Sequence, residues 1–328
     1  MENHTLQELI EFVRGKNVYI QTHNYPDPDA IASAFGMGRL LEHFGIGSTL
    51  CYHGAIDRIN TKKMVDLLDI NIVSKDSLEG IMKEEDPIIC VDSQKFGGNI
   101  MDLIGEEVAC IDHHPTQKQV DYFYKDVRIL GSCSTIIAGY FEELGVEPDY
   151  RTATALLYGL KMDTSGFSRG VKEEDIHAFA FLNKNADGDI IQRLEQNQME
   201  FEDLKAFGAA ISDIVIDGEY GFATIPFACP DALIAIACDF ILSLEEVEVA
   251  IVYSCRDDGY KFSVRSEAGG VHSGRLVSLA LDGMGSGGGH SFMAGGFLPL
   301  SKAPAEGNEL KVLIKDKFMD AARRLEAE

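Results

Sequence analysis

Three times in its first 115 residues the chain ends an apolar, strand-length run on side chains that ligate metals. Val18-Tyr19-Ile20 leads into His23-Asn24-Tyr25-Pro26-Asp27-Pro28-Asp29, Pro87-Ile88-Ile89-Cys90-Val91 ends on Asp92, and Val108-Ala109-Cys110-Ile111 ends on Asp112-His113-His114. Runs this uniformly apolar suit parallel strands buried on both faces, and parallel strands require crossover helices. The pattern therefore predicts an α/β sheet, in which loops at the C-terminal strand ends bind ligands. Pro26 and Pro28 fix the direction of the first loop. The spacing of Asp27 and Asp29 lets their carboxylates face different ions.

A fourth acid, Asp163, closes the helical run Leu156-Leu157-Tyr158-Gly159-Leu160-Lys161-Met162 and is followed by Thr164 and Ser165. Carboxylates mixed with imidazoles suit Mn²⁺, Mg²⁺ or Fe²⁺, and the lack of a Cys-x-x-Cys pair argues against a closed structural zinc site. Each residue also has a structural reading. His23 at a strand end is suited to satisfying a backbone carbonyl. Asp27, and Asp29 especially, precede a helix that they would cap; Asp92 would cap at Ser93-Gln94, and Asp163 would terminate a helix. Three clusters at the ends of parallel strands favour the metal reading over coincidence. Far downstream, Ser286-Gly287-Gly288-Gly289-His290 reads either as a flexible turn or as a phosphate loop, the latter if Ser291-Phe292-Met293-Ala294 starts a helix whose amides favour an anion.

In this order and spacing the segments resemble the motifs of the DHH phosphoesterases: His23, Asp27 and Asp29; Asp92; Asp112-His113-His114; Asp163; and the glycine-rich run of the DHH-associated C-terminal domain. The resemblance covers nearly the whole chain. It implies an α/β protein with an N-terminal parallel-sheet DHH domain, a smaller mixed-sheet α/β domain, and an active site in the cleft between them. It also implies two divalent ions, Mn²⁺ ahead of Mg²⁺ or Fe²⁺. His23, Asp27 and Asp92 would hold one ion and Asp29, Asp92, His113 and Asp163 the other, with Asp92 and a hydroxide as the bridges. By the same resemblance His114 contacts the phosphoryl oxygens, Asp112 orients a histidine, and Arg265, Ser286, Gly287, Gly288, Gly289 and His290 bind substrate.

Length agrees, since 328 residues exceed what one hydrophobic core usually organises. The expected division is a catalytic domain at 1–188, a connector helix at 189–212 with Ile190, Ile191, Leu194, Met199, Phe201 and Leu204 as its apolar positions, and a second domain at 213–328. The second domain opens on a hairpin turning at Asp217-Gly218. Seven scattered cysteines suit buried thiols in a reducing compartment, and Cys133 lacks a nearby base that would make it a nucleophile. The N-terminal residues carry no signal-peptide pattern, and no apolar run reaches the roughly eighteen residues of a membrane span, so a cytoplasmic protein is expected.

Charge narrows the substrate. With 29 basic against 53 acidic residues, the net charge of −24 disfavours long nucleic acid and leaves a small phosphate ester as the compatible partner. The resemblance points to linear dinucleotides or very short oligoribonucleotides, such as pGpG, pApA or nanoRNA, cut from the 5′ end to mononucleotides. The alternatives are 3′-phosphoadenosine-5′-phosphate and cyclic di-AMP. A non-catalytic nucleotide-binding protein would be expected to have lost a ligand, and none is lost. Base preference, the stacking aromatic, the native metal and the oligomeric state, a homodimer included, are not legible at this level.

Overall fold

The computed structural model describes residues 4–327 apart from 117, 197–200, 202, 268–269 and 304–306. It divides into two compact units, Met1–Gln198 and Met199–Glu328.

In the first unit, helix α1 (Leu6–Val13) starts from a capping box between Thr5 and Glu8. The strands are β1 (Val18–Gln21), β2 (Ser48–Tyr52), β3 (Ile72–Ser74), β4 (Pro87–Val91), β5 (Glu106–Asp112) and β6 (Tyr124–Val127), joined by helices α2 (Pro28–His43), α3 (Ile59–Leu67), α4 (Cys133–Glu143), α5 (Tyr150–Asp163), α6 (Glu173–Leu182) and α7 (Gly188–Gln196). All strand pairs are parallel, in the order β3-β2-β1-β4-β5-β6. Ile20, Ile89, Val91 and Ile111 face a large core shared with α1, α2, α4 and α5, while Tyr19, Cys51, Ile88 and Cys90 face a small one closed by Leu78 and Met82. Burial on both faces explains why the sequence reads as continuous apolar runs.

The second unit contains α8 (Asp203–Asp213), β7 (Val215–Asp217), β8 (Tyr220–Ile225), α9 (Asp231–Leu242), β9 (Val249–Arg256), β10 (Gly259–Ser266), α10 (Ser273–Ala280), β11 (Ser286–Gly289), β12 (Met293–Pro299) and α11 (Gly307–Glu326). Its sheet runs β11-β12-β10-β9-β8-β7 and is antiparallel except for the β8–β9 pair. Phe222, Ile251 and Phe262 pack toward α10 and α11, whereas Ala223, Ala250 and Val252 pack toward α8 and α9. No helix among the described residues is long and apolar enough to cross a membrane.

Three local expectations are corrected. The connector expected at 189–212 is two helices: Ile191 and Leu194 of α7 pack on the first core, and Ala206 and Ala210 of α8 on the second unit's. Each short apolar stripe thus serves its own unit, and Met199 lies outside the described residues. The hairpin turns at Gly218 and Glu219, because Asp217 pairs with Tyr220 and Gly218 takes φ 60°. Finally, the glycine run does not lead into a helix. Ser286–Gly289 is strand β11 on β12, and Met293 already lies in β12, so the helix-terminus argument for phosphate fails. Packing explains two of these glycines: a Cβ on Gly287 would meet the Val277 side chain at 2.9 Å, and one on Gly289 would meet the Met293 carbonyl oxygen at 2.5 Å.

Candidate metal centre

The strand order reverses between β1 and β4, the point at which an open α/β sheet leaves a crevice beyond its carboxyl ends. His23 follows β1 by two residues, Asp92 follows β4 directly, and Asp112 ends β5 ahead of His113 and His114. Asp27 and Asp29 sit at the start of α2, and Asp163 ends α5. Nε2 of His23 lies 3.5 Å from Oδ2 of Asp92 and 3.8 Å from Oδ1 of Asp27. Nε2 of His113 lies 3.3 Å from Oδ1 of Asp92 and 3.1 Å from Oδ2 of Asp163. Donor atoms of His23, Asp27 and Asp92 fall within 4.8 Å of one another, as do those of Asp29, His113 and Asp163, and those of Asp92, His113 and His114. Asp92 is the residue shared between the first and third groups.

Backbone carbonyls set both histidine tautomers. Nδ1 of His23 bonds to the Asn24 carbonyl at 2.8 Å and Nδ1 of His113 to the Leu130 carbonyl at 3.1 Å. Carbonyls only accept, so Nδ1 carries a proton, and loss of the Nε2 proton turns a lone pair into the cluster, the arrangement of a metal-ligating imidazole. The backbone-carbonyl reading of His23 and the ligand reading are therefore compatible. Asp92 Oδ1 and His113 Nε2 are buried without a hydrogen-bond partner. Orphaned donor atoms of this chemistry fit a hard divalent cation.

The electrostatics ask for positive charge. Burial opposes a charged His23, but Asp27 and Asp92 outweigh it and push the imidazole up to about 9. Burial likewise opposes His113, and Asp163 and Asp92 push it up to about 12. Burial and the neighbouring carboxylates hold Asp29 well above the usual range, and burial raises Asp92. Burial would also raise Asp27, but His23 and the Ala30 amide bring it down to about 2.

The helix-capping alternative belongs to Asp27 rather than Asp29. Oδ1 of Asp27 accepts from the amides of Asp29 (3.0 Å) and Ala30 (3.1 Å), with Pro28 pre-set for the first turn of α2. Asp29, 1 % exposed, accepts instead from the Cys133 and Ser134 amides at 2.7 and 2.9 Å, which joins α2 to the start of α4. Ser132 caps α4 through the Thr135 amide at 3.1 Å, and Cys133 is buried with its thiol pushed well up by burial. A structural thiol, not a nucleophile, results. Asp92 itself holds φ 54°, a conformation uncommon for a non-glycine residue.

Asp112 accepts from Nδ1 of His114 at 2.9 Å and from the His113 amide at 2.8 Å, and the half-exposed His114 ring is raised by that Asp112 bond. Two participants escaped the sequence reading. Gln94 donates from Nε2 to Oδ2 of Asp112 at 2.7 Å and to the His114 carbonyl at 3.0 Å. Arg169 donates to the Asp163 carbonyl at 2.6 Å. Each lies within six residues of a motif acid, a proximity that was the available signal. Arg265 and Ser286 to His290 lie on the second unit. Nε of Arg265 is engaged by Asp239 at 2.7 Å and one Nη by Ser263 at 3.1 Å, so the guanidinium is not an open fork.

A parallel sheet whose carboxylates and imidazoles converge where the strand order reverses defines an α/β scaffold with a candidate divalent-metal centre. The model of the DHH family, N-terminal domain, matches residues 17–160, and that of the DHHA1 domain matches residues 217–318. The chain belongs to the DHH phosphoesterase family. An uncharacterized protein of Methanocaldococcus jannaschii is 29 % identical over 90 % of this chain and 61 % of its own length. A cyclic-di-AMP phosphodiesterase of Geobacillus thermodenitrificans is 25 % identical over 96 % of this chain and 49 % of its own length, so the chain spans only part of these relatives. A probable manganese-dependent inorganic pyrophosphatase of Streptococcus suis is 32 % identical over 43 % of this chain and 46 % of its own length. An exopolyphosphatase-related protein from Bacteroides fragilis shares the fold with a TM-score of 0.75 at 18 % identity, covering 99 % of this chain and all of that one.

Proposed function

We propose that the chain is a metal-dependent phosphodiesterase that cuts linear dinucleotides or very short oligoribonucleotides from the 5′ end to mononucleotides. The observation that carries this reading is the pair of ligand sets meeting at Asp92: His23 and Asp27 on one side, His113, Asp163 and Asp29 on the other. In this reading two divalent ions, Mn²⁺ by preference, are held by these six residues. Ions bound there supply Lewis-acid polarisation of the phosphoryl group and lower the pKa of water. His114, oriented by Asp112, bonds a phosphoryl oxygen or hands a proton to the leaving oxygen. The amides of β11 and the ring of His290 contact substrate phosphate, and Arg265 joins them by exchanging Asp239 for it.

A nucleotide is favoured over pyrophosphate because the named cyclic-di-AMP phosphodiesterase aligns along 96 % of this chain, the pyrophosphatase along 43 %. The same alignment supports a second reading, hydrolysis of cyclic di-AMP. The negative surface disfavours long polyanions. Seven free cysteines, five of them buried, suit a reducing cytoplasm. The test is product formation, with Mn²⁺ and with chelator: mononucleotide from pGpG, pApA, a five-residue RNA and 3′-phosphoadenosine-5′-phosphate, linear dinucleotide or mononucleotide from cyclic di-AMP, and inorganic phosphate from pyrophosphate. Mn²⁺-dependent cleavage of the linear dinucleotides at the highest kcat/KM is expected. Cleavage of pyrophosphate alone, or of nothing in the panel, contradicts the proposal.

A further inference from the structure

We propose that Phe96 is a stacking platform for a substrate base and that Lys118 beside it takes a phosphate, an inference that rests on the nucleotide reading above. The segment leaving β4 after Asp92 is pinned to the centre. Gln94 holds Asp112 and the His114 carbonyl, the Lys95 amide donates to the Tyr122 hydroxyl at 2.9 Å, and the Gly97 amide closes on the Gln94 carbonyl at 2.9 Å. The adjoining loop after β1 braces it further: the Asn24 amide donates to the Asn99 carbonyl at 2.7 Å, and Oδ1 of Asn24 accepts from the Met101 amide at 2.9 Å.

This braced turn projects Phe96 outward, 54 % exposed and at φ 63°. An aromatic residue gains nothing for the fold from exposure in a disfavoured conformation, and such positions cluster where a chain serves a ligand. Of the six non-glycine residues with positive φ among those described, Tyr25, Asp92, Phe96, Ser165 and Phe167 lie in loops that carry site residues. Asp69 is the exception.

Charge at the ring points the same way. Nζ of Lys95 and of Lys118 lie 5.5 and 5.7 Å from the Phe96 ring centroid. Lys95 is committed to Asp102 at 3.1 Å and Glu107 at 2.6 Å, whereas Lys118 pairs with no carboxylate among the described residues. In a chain of net charge −24, an exposed ring beside an uncommitted ammonium is complementary to a planar base carrying a phosphate. A bare phosphate chain would use the lysine and leave the ring idle. Selection for nucleotides would then reside partly in the unit that carries the metal centre.

The chain contains no tryptophan, so Phe96→Trp installs a single indole at the platform. In the Mn²⁺-loaded protein, AMP is expected to quench its emission saturably and ribose 5-phosphate to leave it unchanged. Phe96→Ala should weaken AMP binding roughly five- to a hundredfold by calorimetry, and Phe96→Leu should do the same because bulk without a π-face does not stack. Lys118→Ala should weaken both AMP and ribose 5-phosphate, and metal content should be unchanged throughout. Calorimetric AMP binding with unaltered indole emission, equal affinity in Phe96→Ala, or no AMP binding to the wild-type chain at millimolar concentration each overturns the platform. The first two leave the phosphodiesterase reading standing. Conversely, AMP stacking in a protein that cleaves no phosphodiester sinks that reading and keeps the platform.

Discussion

Nε2 of His113 and Oδ1 of Asp92 lie 3.3 Å apart, both buried, and neither makes a hydrogen bond. Although burial opposes it, Asp163 and Asp92 hold the His113 ring protonated in the metal-free protein, so the two atoms form an ion pair, and a cation bound there takes the proton's place.

Asp92→Asn separates the two sides of that relationship. The amide keeps the shape and removes a buried carboxylate that burial already holds above its ordinary range. Hydrolysis should fall about a hundredfold or more, in line with the loss of a central catalytic charge. Thermal stability of the metal-free protein should hold or rise. More than about a tenth of wild-type turnover under saturating Mn²⁺ would contradict the shared-ligand role.

Metal uptake should release protons. His23 and His113 stand at about 9 and about 12 in the metal-free protein, above the ordinary 6.5. Their contribution to stability is complete below about pH 6.5, and that of His23 fades as pH rises through about 9. Asp29 and Asp92, also shifted up, have the same sign. Asp27, at about 2, has the opposite sign but is ionised throughout this window. The metal-free melting temperature should therefore fall from about pH 7 to about pH 9.5, while Mn²⁺ affinity rises over the same range. Calorimetry in buffers of different ionisation enthalpy measures the released protons, and a buffer-independent heat at pH 7 would count against this account.

Asp112→Ala frees the His114 ring while leaving His23, Asp27, Asp92 and Asp163 in place. Losing such an orienting partner typically costs ten- to a hundredfold, so kcat should drop by that amount with Mn²⁺ content little changed. The double variant Asp112→Ala/His114→Ala should be hardly worse than His114→Ala alone, since both act through one ring. Additive losses would show that Asp112 acts elsewhere.

The glycine run gives a contrast between neighbours. A methyl on Gly287 meets Val277 at 2.9 Å, while one on Gly288 meets nothing within 4 Å. Gly287→Ala should destabilise the chain by about 1–3 kcal/mol in denaturant unfolding, as overpacking does. Gly288→Ala should keep stability. If β11 contacts substrate phosphate, KM for a dinucleotide should nevertheless rise in Gly288→Ala. Equal stability of the two variants would mean that Gly287 is not held against Val277.

Much of the first unit was legible because its strands are buried on both faces, and Ile89-Cys90-Val91 or Ala109-Cys110-Ile111 leaves little but a central strand. Strand β6 and helix α3 were not, because Tyr124–Val127 is a half-buried edge strand and α3 carries Lys62 and Lys63 on a weak stripe. At the centre, residue types at strand ends exposed the candidates one by one. Which carboxylate caps which helix was hidden, since Asp29 meets the amides of Cys133 and Ser134 only through tertiary packing. The contacts of Gln94 were hidden for the same reason, its one signal being its place two residues after Asp92. The glycine run misled because glycine suits a phosphate loop and a tightly packed edge strand equally well.

The parallel order β3-β2-β1-β4-β5-β6 has a kinetic consequence. The residues gathered at the switch point come from His23, Asp92, His113 and Asp163, in separate crossover units, and no short hairpin holds even two of them together. Loop closure over such separations is slow, and although His23 and Asp27 are neighbours in sequence, their set is completed only by Asp92 from another crossover unit, unlike the local ligand set of a small zinc module. Metal capture would then follow sheet assembly, and its rate would report the completion of the first unit.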